Sequence, residues 1–254
     1  MTDRFSLAGQ HALVIGGSSG IGKAIAAGMR DAGASLSIAG RDRAKLDAAV
    51  KELSIGGAKV GGYQADVTDA AQLRALAEGM VTDHGHIDIL VNSQGTTIIK
   101  PALEFTPEEY DFVLDANLKS VFFCCQEFGR RMLARGSGSI INIASLSSYR
   151  GWPGSSVYGI TKYGVLSLTE SLAAEWATRG VRVNGIAPGF FMTELNQAKM
   201  KPERKEKALA RTPMNRFGKV DELVGAAIYL ASPSASYVTG ETIRVDGGYL
   251  AGGI

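Results

Sequence analysis

A chain of 254 residues, 45% of them hydrophobic, is long enough to fold around one sizeable α/β core. Lys and Arg number 27 against 25 Asp and Glu, a formal charge of +2, which excludes the basic footprint of a nucleic-acid or anionic-membrane binder and leaves a small molecule as the expected partner. No run approaches the roughly 18 apolar residues of a membrane span, and residues 1–10 lack the basic and apolar regions of a secretory leader, so a cytoplasmic address is expected.

Short apolar runs alternate with longer amphipathic ones from end to end. Residues 12–15, 35–39, 59–63, 87–92, 139–144, 181–187 and 242–245 read as strands, with helix-length crossovers between them. Near-continuous hydrophobicity in each strand implies burial on both faces. The expected fold is therefore α/β: a Rossmann-type, doubly wound, seven-stranded parallel sheet with helices on both faces. No linker or internal repeat divides residues 1–254, which implies a single domain. Cys124 and Cys125 are adjacent in an apolar helical stretch, cannot close a loop, and read as reduced core residues. Residues 190–216 break the alternation: they are rich in Lys and Glu, carry Pro202 and Pro213, and read as a flap over a site.

The first strand runs into Gly16-Gly17-Ser18-Ser19-Gly20-Ile21-Gly22-Lys23 and then an Ala-rich helix. Glycines there permit a tight turn, close backbone approach to a pyrophosphate, and close packing of helix on strand. The anion would meet the free N–H groups and positive end of the helix. Beyond the second strand, the position that carries an acid in ribose-binding NAD sites is Gly40, followed by Arg41. That leaves room for a 2′-phosphate and offers it a guanidinium, so NADP(H) is expected over NAD(H); the plainer alternative is a solvated Arg41 beside a helix-capping Asp42.

Tyr158-Gly159-Ile160-Thr161-Lys162 places a phenol and an ammonium four residues apart, on one face of a helix. Free tyrosine titrates near pH 10, too high for a base at neutral pH, and a fixed cation favours its phenolate. Taken alone, the pair also fits an exposed helical Tyr–Lys contact. Ser145 lies thirteen residues upstream, where a strand leaves the edge of the sheet. His11, His84 and His86 show no ligand clustering with acids or cysteines, and no metal is expected.

The spacing of Gly16, Gly20 and Gly22, the Ser145-to-Tyr158 interval and the Tyr158/Lys162 pair together resemble the short-chain dehydrogenase/reductase family over almost the whole chain. Ile15, Ser93 and Gln94 depart from its usual residues. The resemblance implies that Ser145 hydrogen-bonds the substrate oxygen, Tyr158 exchanges its proton, Lys162 supports Tyr158 and binds the nicotinamide ribose, and Asn117 holds a water for proton relay. It implies cofactor contacts at Gly16, Ser18, Ser19, Gly20, Ile21 and Gly22, at Arg41, at Asp66 and Val67 beside the adenine, at Asn92 and Gly95, and at Pro188, Gly189 and Thr193 beside the carboxamide. It further implies dimers through helices at 106–134 and 156–178 and a homotetramer completed by the tail at 245–249.

Substrate selection is expected from loops 94–101 and 146–154 and from the flap. Trp152, Phe190 and Phe191 could form an apolar wall, and Lys100, Arg150 or Arg216 could pair with an anion. Residues 186–196 and 211–227 resemble gluconate 5-dehydrogenases within the family, which implies a sugar acid or polyol as substrate. A 3-oxoacyl-thioester reductase and a non-catalytic dinucleotide sensor stay open as alternatives.

Overall fold

The computed structural model describes residues 4–193 and 202–252. Seven parallel strands form one sheet in the order β3-β2-β1-β4-β5-β6-β7. They are β1 (His11–Ile15), β2 (Ser35–Gly40), β3 (Val60–Gln64), β4 (Ile89–Asn92), β5 (Gly138–Ile143), β6 (Val181–Pro188) and β7 (Thr242–Val245). The helices are α1 (Gly20–Asp31), α2 (Arg43–Leu53), α3 (Ala70–His84), α4 (Pro107–Leu114), α5 (Ser120–Arg135), α6 (Ser156–Trp176), α7 (Pro202–Arg211) and α8 (Val224–Ala231).

The expected strands all form, with ends shifted by at most two residues. β1, β4 and most of β5 are buried along their whole length, because each is covered twice. On one face Leu73, Val121, Phe128, Val165 and Trp176 bring α3, α5 and α6 onto the sheet. On the other, Ile25, Met29, Leu46, Leu53 and Leu230 do the same for α1, α2 and α8. The chain reverses its direction of winding between β1 and β4, so the cleft outside the carboxyl ends of these two strands is where a dinucleotide fits this class of fold.

One expected helix is not continuous. The run at 106–134 divides into α4, a π-turn at Asp115–Lys119, and α5. Its start is fixed by a capping box in which Thr106 accepts from the Glu109 N–H and Glu109 from the Thr106 N–H. Of the flap, residues 194–201 lie outside the described residues; the rest contains α7 and returns to the sheet at Gly218, which bridges Phe191.

Candidate active site

Gly16 sits at φ +78°, and a Cβ there would lie 2.8 Å from the Ser93 carbonyl carbon. A Cβ on Gly22 would lie 2.2 Å from the Gly16 carbonyl oxygen. Any side chain at either point would push the loop after β1 off the loop after β4 or off α1. This cradle therefore fits the close approach of a pyrophosphate. Ser19 caps α1 without a side-chain hydrogen bond, and the first turn of α1 holds no acidic residue, so its N–H groups suit an anion. Across the cleft, the Thr193 methyl lies 3.8 Å from the Cβ position of Gly20. Ser18 in this loop and Ile21 in the first turn of α1 are half-buried, with Ser19 exposed.

At the end of β2, the Cβ position of Gly40 points to Ser18 Oγ, 3.1 Å away. Arg41 has a side chain 58% exposed, and its Nη1 is 3.8 Å from Asp66 Oδ2. Asp42 does cap α2, accepting from the Lys45 N–H at 3.0 Å, which leaves Arg41 to a separate role. Asp66 is not a helix cap: its Oδ1 accepts from the Thr68 N–H and Oγ1 at 3.0 and 2.7 Å, while Asp69 caps α3. Val67 is buried beside that turn.

Asn92 stands in register between Ile15 and Asn142. Its side chain turns into the core, with Nδ2 donating to Asn142 Oδ1 at 2.9 Å and to Cys125 Sγ at 3.3 Å. Asn142 in turn donates to Thr169 Oγ1 at 3.0 Å. This chain rivets β4, β5 and α6 together, so the side chain of Asn92 is structural. Gly95 is different: a Cβ there would lie 3.2 Å from Asn117 Oδ1 and 3.8 Å from Lys162 Nζ.

Lys162 is 4% exposed, and its Nζ donates to the Ile143 carbonyl at the end of β5 at 2.8 Å. The ammonium stands 5.8 Å from the centre of the Tyr158 ring. Ser148 Oγ donates to the Lys162 carbonyl at 2.6 Å. The short turn Leu146–Ser148 is capped by Ser145, whose Oγ accepts from the Ser147 N–H at 3.1 Å. Lys162 is thus bonded on both sides of Ser145, and this brings Ser145, Tyr158 and Lys162 to one sheet edge. Burial pushes the Lys162 ammonium down from 10.5 to about 8.

Asn117 is fully buried inside the π-turn. Its Oδ1 accepts from the Thr96 N–H at 2.6 Å, and its Nδ2 donates to the Thr96 carbonyl at 2.8 Å and to Thr161 Oγ1 at 3.2 Å. The amide therefore ties the loop after β4 to α6 beside Lys162. Thr96, Ser148 and Thr161 were not singled out in the sequence. Thr161, inside the Tyr158/Lys162 motif, was the one with a positional signal.

Among the expected substrate contacts, Phe191 does not join the wall: it is buried in the core beneath α8 and against Gly218. Lys100 pairs with Glu109, and Arg216 makes a bidentate pair with Glu222 at 2.6 and 2.8 Å. Trp152 and Phe190 do meet, across Tyr249. Pro188 is buried at the end of β6, and the Gly189 N–H donates to the Val245 carbonyl at 2.8 Å. The three histidines converge at the opposite end of the sheet. Among the described residues, no group of three or more His, Cys, Asp or Glu is arranged to hold a metal.

Residues 15–250 match a family model described as enoyl-(acyl carrier protein) reductase. The gluconate 5-dehydrogenase of Gluconobacter oxydans is 39% identical over 247 residues, covering 97% of this chain and 96% of that protein. The 3-oxoacyl-(acyl-carrier-protein) reductase of Staphylococcus aureus is 39% identical over 241 residues, covering 94% and 97%. A gluconate 5-dehydrogenase from Burkholderia cenocepacia, solved with NADP and tartrate, is 40% identical with a TM-score of 0.94 over 98% of each chain. With the sheet order, the glycine cradle and the Ser145, Tyr158 and Lys162 cluster already in place, these matches make the chain a member of the short-chain dehydrogenase/reductase family, NAD(P)-dependent oxidoreductases that act on CH–OH groups.

Proposed function

We propose that this protein interconverts a secondary alcohol and its ketone on a sugar acid or polyol, using NADP(H) in preference to NAD(H). The observation that carries the chemistry is the Lys162 ammonium, held by the Ile143 carbonyl over the Tyr158 ring, two residues from Ser145. When bound, the nicotinamide supplies or accepts the hydride at its C4. Ser145 Oγ orients the substrate oxygen, and Tyr158 takes its proton in oxidation and returns it in reduction. Lys162 favours the phenolate through its charge. Both amide hydrogens of Asn117 are occupied by Thr96 and Thr161, so a relay water there is held by the main chain.

Gly16, Ser18, Ser19, Gly20, Ile21 and Gly22 would hold the pyrophosphate, with Asp66 and Val67 near the adenine. Gly40 and Arg41, with Ser18 Oγ alongside, support selection of the 2′-phosphate. Gly95, Pro188, Gly189 and Thr193 would line the nicotinamide end, where Asn92 contributes through its main chain alone. The described parts of the expected flap, residues 190–193 and 202–216, would border this site. A second reading, a neutral polyol rather than a sugar acid, is favoured by the ion pairs that occupy Lys100 and Arg216, whereas Arg150 has no ion-pair partner among the described residues.

A homotetramer fits the exposed Phe122, Phe123, Ile160 and Tyr163 on α5 and α6. A cytoplasmic location fits the two buried free thiols. The test is a panel of sugar acids, polyols, simple ketones and a 3-oxoacyl thioester with both cofactors, using Tyr158→Phe as the blank. Polyhydroxylated substrates with NADP(H) turn over fastest, and Tyr158→Phe loses about 10²- to 10⁴-fold while cofactor binding persists. Faster turnover of the thioester would replace the substrate assignment; full activity of Tyr158→Phe would remove the mechanism.

A further inference from the structure

Tyr249 lies just beyond β7 on a turn built by Asp246. Asp246 Oδ1 accepts from the Gly248 N–H and Oδ2 from the Leu250 N–H, each at 2.9 Å. The turn is wedged against the end of β6, where a Cβ on Gly189 would lie 2.6 Å from Asp246 Cα. It also anchors the far end of the flap, since the Met214 N–H donates to the Gly247 carbonyl at 3.2 Å. The position of Tyr249 is therefore fixed by both structures that flank the cleft.

Its residue is 6% exposed, with the ring 5.5 Å from Trp152 and 5.1 Å from Phe190, centre to centre. Trp152 belongs to the loop between Ser145 and Tyr158; Phe190 directly follows Pro188-Gly189. The ring closes a wall between the two segments that bracket the reacting centre. A buried tyrosine ordinarily gives its hydroxyl to a protein partner. Even the half-buried Tyr149 and Tyr63 do so, reaching the Thr242 carbonyl at 3.4 Å and Asp83 at 2.7 Å. The Tyr249 hydroxyl bonds to no described residue, and it is not among the described polar atoms sealed from solvent. Ring and hydroxyl thus have opposite circumstances: one is clamped, while the other keeps some contact with solvent and bonds to no described residue.

We infer that Tyr249 is a specificity-determining residue whose hydroxyl hydrogen-bonds a second hydroxyl of the substrate, while Ser145 and Tyr158 serve the reacting one. This rests on the polyhydroxylated substrate class proposed above. An apolar wall of Trp152 and Phe190 separates substrates weakly by itself, whereas a positioned polar group penalises analogues that leave it unpaired. Because the hydroxyl is reached by solvent, the selection is moderate, about tenfold for one neutral hydrogen bond.

Tyr249→Phe removes the hydroxyl and keeps the ring stack. kcat and KM are measured with the best polyhydroxylated substrate of the panel and with 2-butanol, and NADPH affinity serves as the folding control. The variant loses about tenfold in kcat/KM on the polyhydroxylated substrate, mainly through KM, with 2-butanol and NADPH unchanged. Equal losses on both alcohols overturn the inference, as does a polyol preference that survives the substitution. A wild-type enzyme with no preference for the polyol over 2-butanol overturns the substrate class itself, and is seen before any variant is made.

Discussion

Lowering the pH below 6.5 should destabilise this protein through His11. The residue is buried, 9% exposed, at the start of β1. Its Nε2 is 2.9 Å from Ser37 Oγ on β2, and its ring stacks on His84 of α3 at 4.0 Å. The Tyr63 hydroxyl of β3 lies 2.9 Å from His84 Nε2 and donates to Asp83 of α3 at 2.7 Å. Asp88 accepts from the His11 N–H at 2.8 Å and pairs with Arg135 of α5 at 2.9 Å, with His86 3.5 Å away. Burial, then His84, pushes His11 from 6.5 down to about 4, with Asp88 opposing and His86 adding slightly. A depressed histidine binds its proton later in the folded chain than in the unfolded one. Its stability contribution is complete above pH 6.5 and is lost as the pH falls toward 4. At roughly 1.4 kcal/mol per pH unit below 6.5, the loss reaches about 2 kcal/mol by pH 5. Urea unfolding at pH 7.5, 6 and 5, at one protein concentration, compares the wild type with His11→Gln, which cannot titrate. The variant starts less stable but loses about 2 kcal/mol less on acidification. Parallel losses in the two proteins would refute the assignment to His11.

Two other outcomes concern the cofactor. Gly40→Asp directs a carboxylate toward Ser18 Oγ, 3.1 Å from its Cβ, where a 2′-phosphate would meet repulsion and ribose hydroxyls would find an acceptor. The NADP-to-NAD ratio of kcat/KM falls at least about tenfold, and an unchanged ratio would remove Gly40 from the choice. Gly22→Ala forces a methyl to 2.2 Å from the Gly16 carbonyl oxygen, an overpacking of about 1–3 kcal/mol. Differential scanning shows a lower Tm, and NADPH titration shows weakened binding; normal binding would mean the cradle yields easily.

The strands could be read in the sequence because burial on both faces leaves almost no polar position in runs such as Leu13-Val14-Ile15 or Ile140-Ile141. Tyr158, Lys162 and Ser145 could be read because they sit at fixed intervals on a strand end and a helix face. Asn117 could be placed in a helix, but its partners Thr96 and Thr161 are distant in the chain, and nothing in the local pattern announces the π-turn. Phe191 reads as a loop aromatic, yet its parallel bridge to Gly218 turns it inward; a Cβ on Gly218 would come within 2.4 Å of the ring. Lys100 and Arg216 read as cations that could pair with an anionic substrate, and their actual pairing depends on where tertiary packing brings Glu109 and on a bidentate geometry with Glu222. Local spacing carries the backbone and the proton-transfer group, while side-chain pairing across loops is decided in three dimensions.

Val113, Asn117 and Val121 follow one another at intervals of four, and all three are buried. On a regular α-helix such positions drift about 40° per step around the axis, and Val121 would leave the line begun by Val113. The wide turn at Asp115–Lys119 lengthens the local repeat and keeps the three in phase. A polar amide is thereby carried along an apolar seam between two valines. The packing of this seam, α4 against α6 and α5 onto the sheet, and the setting of the Thr96 loop beside Lys162 are one mechanical event, so the precision of the proton-transfer centre inherits the rigidity of the core.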